Sequence, residues 1–169
     1  AMVSVKHHYY GVMNPLAHLQ KAITLEQAMS SFVVAYPLKL YDCCMISDGS
    51  AALLLASEDR VREFTKKPPI WIAGLGCGTD TLAMGDRKDL TTLNGTVAAA
   101  RQAYEMAGVA PEDIDVATVH DCFTIAEICA YEDLGFCQKG EGGKFIEEKQ
   151  SYLGGKTPVN LDGGLKAKG

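Results

Sequence analysis

The sequence predicts an α/β fold, a mixed sheet with flanking helices, and two observations carry that expectation. Short apolar runs at Ala51–Ala56, Ile70–Ala73 and Val116–Val119 alternate with longer stretches of helical spacing at Thr96–Ala107 and Phe123–Leu134. Strand, helix, strand, helix is the order of a layered α/β domain. With 169 residues, 47% hydrophobic and 22% charged, the chain is long enough for one well-buried domain or for part of a larger one.

Composition narrows the function classes. A net charge of −5 gives no reason to expect nucleic acid as a partner. No segment approaches the roughly 18 uninterrupted apolar residues of a membrane span, and no N-terminal signal pattern is visible, so a cytoplasmic location is expected. Cys43, Cys44, Cys77, Cys122, Cys129 and Cys137 are spaced neither like a small secreted disulfide framework nor like a C-x-x-C zinc pattern. Free thiols and no metal are the expected state.

Taken in order, residues 1–20 are rich in aromatics and histidines, with Gly11, Asn14 and Pro15 as turn signals, and read as irregular structure. Lys6, His7 and His8 stand out there, although two adjacent histidines make a poor metal pair because they point apart on either a strand or a helix. Thr24, with Gln27 three residues on, has the spacing of a capping box and opens a helix that ends before Pro37. Leu40–Cys44 is a connector. Asp48-Gly49-Ser50 is a turn, and Ala51–Ala56 has the continuous apolar character of a strand buried on both faces. A charged helix starts at Ser57 and stops before Pro68-Pro69, the strongest internal boundary.

Ile70–Thr79 reads as a strand running into a glycine-rich loop. Gly74-x-Gly76-x-Gly78 lacks the G-x-G-x-x-G spacing, and Asp80–Asp89 after it is polar rather than the opening of a helix, so a dinucleotide site is discounted. Thr96–Ala107 is the clearest helix, with Gly108 as its stop. Pro111 begins a single turn. Residues 136–155, rich in Gly, Lys and Glu, read as an exposed excursion, and the glycines of Asn160–Gly169 suit a backbone that approaches a ligand closely.

Chemistry concentrates at His120-Asp121-Cys122, between the run ending at Val119 and the helix starting near Phe123. A helix start carries unpaired N–H groups and partial positive charge, which lower a thiol's pKa from its free value of about 8.5. Cys122 is therefore a candidate proton acceptor, and His120 can offer an imidazole N–H to an oxygen gaining negative charge. Glu127 is left between two readings, a bond to a backbone amide or a solvated helix face.

His120-Asp121-Cys122-Phe123 resembles the corresponding segment of the sterol-carrier-protein type of thiolase and its bacterial and archaeal relatives. Ser47-Asp48-Gly49-Ser50-Ala51-Ala52, the segment Asn160–Gly169, Lys6-His7-His8 and Asn14-Pro15 resemble further family segments in family order. The resemblance implies a thiolase-like layered αβαβα fold, present in part: residues 1–44 a loop-region remnant, 45–67 the last strand and helix of the N-terminal half, and 68–169 the C-terminal half, stopping before a His-Pro segment. It implies thiolysis of a 3-ketoacyl-CoA or condensation of acyl-CoA molecules, with coenzyme A thioester as substrate and no resident cofactor. His120 and Cys122 would be catalytic, and His8, Asn160, Gly163 and Gly164 would bind substrate. A homo-oligomer, an OB-fold partner and a hydroxymethylglutaryl-CoA synthase are the implied associates. None of the six cysteines stands in the context of the family's nucleophile, so the chain alone is not expected to complete thiolysis. The competing readings are a non-catalytic acyl-CoA-binding or partner subunit, a cysteine hydrolase using Cys122 and His120, and a redox or metal protein built on the six thiols.

Overall fold

Residues 2–13, expected to be irregular, form the helix α1 (Met2–Met13) in the computed structural model, which describes residues 1–169. Tertiary packing overrides the local turn signals. Val3, Lys6, His7 and Tyr10 follow helical spacing and are all buried, so the packed stripe of α1 is partly polar and invisible to a search for apolar periodicity. Gly11 lets the chain end approach: a Cβ there would stand 2.7 Å from the Ala167 methyl, in the short helix α7 (Gly164–Ala167). Leu19 N–H donates to the Ala167 carbonyl at 2.9 Å and completes that contact.

The capping box at Thr24 forms as its spacing predicts. Thr24 Oγ1 accepts from Gln27 N–H at 3.1 Å, and Gln27 Oε1 accepts from Thr24 N–H at 2.9 Å, opening α2 (Leu25–Ser30). A small antiparallel hairpin comes next, β1 (Val33–Ala35) with β2 (Leu38–Lys39), pairing Val33 with Lys39 and Ala35 with Leu38. A single 3-10 turn at Leu40–Asp42 leads to the two cysteines.

Ala51–Ala56 departs from the strand expected of it. The run forms no ladder, and Leu53 is 85% exposed. A strand buried on both faces needs strand neighbours and covering helices, and no segment of this chain pairs with these residues. The charged helix shrinks to one turn, α3 (Val61–Phe64). Ile70–Thr79 likewise joins no sheet, yet its glycines have a structural cause. They seat on α4 (Asn94–Ala107) so closely that a Cβ at Gly74, Gly76 or Gly78 would collide with the carbonyl oxygen of Ala103, Ala99 or Gly95 respectively. Two residues of extended chain advance about 6.6 Å and four residues of helix about 6 Å, so the two backbones keep step in opposite directions. Gln102 reinforces the seam, accepting from Cys77 N–H at 3.4 Å and donating to the Cys77 carbonyl at 3.1 Å.

Gly108, at φ 67°, ends α4 as expected, and Pro111–Asp113 is the single turn after it. Residues 115–119 then run parallel to 157–160: Ala117 N–H donates to the Pro158 carbonyl at 2.9 Å, and Asn160 N–H to the Ala117 carbonyl at 3.0 Å. α5 (Thr124–Asp133) and α6 (Gly142–Glu147) pack together. Residues 136–155 are not a simple exposed excursion, because Phe136, Phe145 and Ile146 join Val3, Tyr131 and Val159 in the main core. Tyr131 and Phe145 meet with ring centroids 5.0 Å apart. The α/β fold is thus present in part, as helices with a small sheet. No helix is long and apolar enough to cross a membrane.

Candidate functional site

The segment ending at Val119 is pinned by one side chain. Asn160, at φ 52°, accepts from Val119 N–H through Oδ1 at 2.9 Å and donates to the Val119 carbonyl through Nδ2 at 3.1 Å. The next three residues divide their roles by direction. Asp121 turns inward and is 1% exposed; its carboxylate accepts from Leu165 N–H at 2.9 Å and from Lys166 N–H at 3.4 Å. His120 turns outward to solvent and lines a hollow of about 270 Å³ with Thr118, Asn160, Gly164, Leu165 and Lys168. Three of the sequence-predicted site residues, His120, Asn160 and Gly164, are therefore brought to one place.

The others lie apart from that hollow. Cys122 is half-buried and does not line it; its carbonyl accepts from Cys44 N–H at 2.9 Å, beside the isolated bridge between Cys43 and Phe123. The expected lowering of its pKa does not occur. Phe123 is the residue before the helix and α5 begins only at Thr124, so Cys122 stands outside the first turn. Burial pushes its thiol above the usual value, nearby Cys44 and Asp121 push the same way, and the Phe123 N–H offsets them only in part. His8 is buried with Nδ1 2.8 Å from the Lys21 carbonyl and its ring edge-on to Tyr41. Burial lowers its pKa, which leaves a neutral ring with an unpartnered, buried Nε2. Gly163, at φ 103°, packs on Gly11, and Gly164, at φ 55°, packs on the Asp121 carboxylate and the His7 ring. Those glycines answer first to their own chain.

Behind the hollow lies a buried ionic network that sequence reasoning missed. Glu127 is fully buried at its centre. One carboxylate oxygen meets Lys6 Nζ and accepts from Tyr131 O–H; the other lies 2.6 Å from His7 Nε2 and accepts from Asn160 Nδ2 at 2.6 Å. Lys6 also donates to Tyr131 Oη at 3.1 Å and to the Val159 carbonyl at 2.9 Å. Burial alone would raise the Glu127 pKa, but His7 and Lys6 outweigh it and hold the carboxyl down at about 2. One signal for Glu127 was available. Thr124, Glu127, Ala130 and Tyr131 share helical spacing, which puts the carboxylate on the packed face of α5. Nothing local marks Lys6 and His7 as its partners, since they lie over 100 residues away.

Chemically, the arrangement presents an imidazole at the edge of a hollow, on a backbone arm fixed by Asn160 on one side and Asp121 on the other. The neighbouring backbone is fixed, and the exposed ring carries an N–H of the kind that can be donated to an oxygen that gains charge.

Comparison with known proteins shows which family the chain resembles along its length. Residues 76–169 match the family model described as thiolase C-terminal domain-like. Over 169 residues the chain is 47% identical to an acetyl-CoA acetyltransferase of Methanothermobacter thermautotrophicus, spanning all of this chain and 44% of that protein. It is 40% identical to the benzoylsuccinyl-CoA thiolase subunit BbsB of Thauera aromatica, over 44% of that protein, and 38% identical to sterol carrier protein 2 of Bos taurus, over 32%. The chain thus spans less than half the length of these relatives. Among solved structures, the Ltp2-ChsH2(DUF35) aldolase superposes with a TM-score of 0.92 at 33% identity, over 98% of this chain and 44% of that one.

Proposed function

Because the chain belongs to the thiolase family, sharing its C-terminal domain-like region, we propose that it supplies the oxyanion-binding and proton-transfer part of an acyl-CoA thiolase. The observation that carries this reading is the hollow uniting His120, Asn160 and Gly164. In the cleavage direction a 3-ketoacyl-CoA loses its acyl group to a cysteine nucleophile carried outside these residues. The electron pair of the broken carbon–carbon bond then resides on the acetyl-CoA enolate. His120 donates an N–H to that enolate oxygen, and Cys122, two residues on and outside the hollow, delivers a proton to the α-carbon of a thioester that extends past His120 to reach it. The raised pKa of the Cys122 thiol suits this direction, because it keeps the proton on sulfur until the carbanion needs it. His8, Asn160, Gly163 and Gly164 form or support the surface against which the thioester lies, with coenzyme A as substrate rather than resident cofactor. The working unit is a homo-oligomer, with an OB-fold protein and a hydroxymethylglutaryl-CoA synthase as candidate partners.

A donor to a developing oxyanion typically contributes about 3 kcal/mol, on the order of a hundredfold in rate. In the enzyme that contains this chain, His120→Ala should slow thiolysis of a short 3-ketoacyl-CoA by roughly that factor. Turnover within twofold of the parent would refute the role. The name of the aldolase with the same fold motivates a second reading, aldol-type carbon–carbon cleavage without thiolysis. The two are separated by whether one free coenzyme A disappears per cleavage. Tight acyl-CoA binding with neither reaction would instead indicate a non-catalytic binding subunit.

A further inference from the structure

His7 sits between two carboxylates, one at each ring nitrogen. Nδ1 is 3.0 Å from Asp121 Oδ2 and Nε2 is 2.6 Å from Glu127 Oε2, with the ring fully excluded from solvent. Asp121 is the residue between His120 and Cys122, and Glu127 lies one turn into the helix after them. We propose that His7 is a positioning residue: as an imidazolium clamped between Asp121 and Glu127, it fixes the arm that carries His120 and Cys122, and its second proton is what holds the clamp. This rests on the thiolase reading for its functional consequence, though not for the clamp itself.

Two neutral-ring alternatives fail on charge and geometry. A neutral imidazole donates at one nitrogen only, so the other would set a bare lone pair against a buried carboxylate. As a cation the ring meets both carboxylates, beside Lys6 at Glu127 and Lys166 acting on Asp121, whereas a neutral ring leaves one of its two adjacent anions without a donor. The other titratable groups around the ring are Lys6 and His8 on α1, Tyr131 on α5, whose hydroxyl is bound to Glu127, and Lys166 on α7, which acts on Asp121. Gly164 closes the fourth side, since a Cβ there would collide with Asp121 and stand 2.9 Å from His7 Cε1. Burial alone would depress the His7 pKa, but the Asp121 carboxylate 3.0 Å from Nδ1, a close ionic approach rather than an aligned hydrogen bond, and the hydrogen bond to Glu127 prevail and raise it.

The chain contains four histidines, so imidazole nitrogen resonances of the full chain labelled with ¹⁵N-histidine can be assigned one by one. His7 should keep protons on both nitrogens at a pH where free histidine has lost one, in slow exchange with solvent. A His7 ring that loses its second proton together with free histidine, or one that shifts on adding zinc, would overturn the proposal. The positioning role predicts that His7→Gln broadens or doubles the His120 ring resonances while the fold is retained; unchanged His120 resonances would refute it. In the thiolase containing the chain, kcat should fall at alkaline pH with the midpoint of His7 deprotonation, KM staying constant, and His7→Gln should lower kcat by up to about a hundredfold and remove that limb. If the doubly protonated ring is present but no thiolysis occurs, the activity reading fails and the clamp stands.

Discussion

Glu127 shows how much of this molecule depends on single side chains. Removing one partner of a buried ion pair leaves the other uncompensated, at a cost of about 3–5 kcal/mol. Glu127→Ala strands Lys6 and His7 and should lower unfolding stability by roughly that amount in urea titrations; a loss below about 1 kcal/mol would mean that water reaches the cluster. The sign of the acid dependence is set by the lowered carboxyl. Its folded value of about 2 lies below the ordinary 4.5, so the stabilisation is complete above 4.5 and is lost as pH falls through 2. Thermal melts of Glu127→Gln should therefore lose part of the parent's decline between those limits. At this scale the sequence was legible only in part at His120-Asp121-Cys122: the imidazole reaches the hollow, while the thiol stands outside it with its pKa raised rather than lowered. The sequence was opaque where one residue answers another from the far end of the chain, as Glu127 answers Lys6 and His7.

Elements divide along the same line. The Thr24 capping box and the Gly108 stop are written in three or four adjacent residues, and both form as read. α1 was missed because its buried stripe contains Lys6 and His7, and the hydrophobic signal that marks a helix is diluted by charge. Ala51–Ala56 was read as a strand because its composition suits one, but pairing is a property of neighbours, and these residues have none here. The glycines at 74, 76 and 78 were recognised as the wrong spacing for a nucleotide without any reason for their presence; the seam on α4 supplies it. Gly76→Val should push residues 74–78 off α4. Backbone amide exchange at Cys77, bound to Gln102, reports this directly and should accelerate to the rate of an open loop, whereas unchanged protection would show that the seam tolerates a side chain.

Only 29 of 169 residues are buried, and they gather at the two ends of the sequence, while the stretch from about 45 to 92 carries exposed apolar side chains such as Ile70 at 95% and Leu82 at 98%. Surface of that kind is what interfaces cover, in keeping with a chain that spans less than half of its relatives. The charge and composition gave no reason to expect nucleic acid or a membrane span, and they did not say where the core would lie. The network that ties α1 to α5 and the final residues joins Lys6 and His7 to Asp121, Glu127 and Asn160. A protease that nicks the solvent-facing stretch between 45 and 92 should leave two pieces that run separately on a denaturing gel yet elute together from a sizing column. Apart from the seam of residues 74–78 on α4, the middle of this polypeptide is thus a tether between two ends that are knotted together.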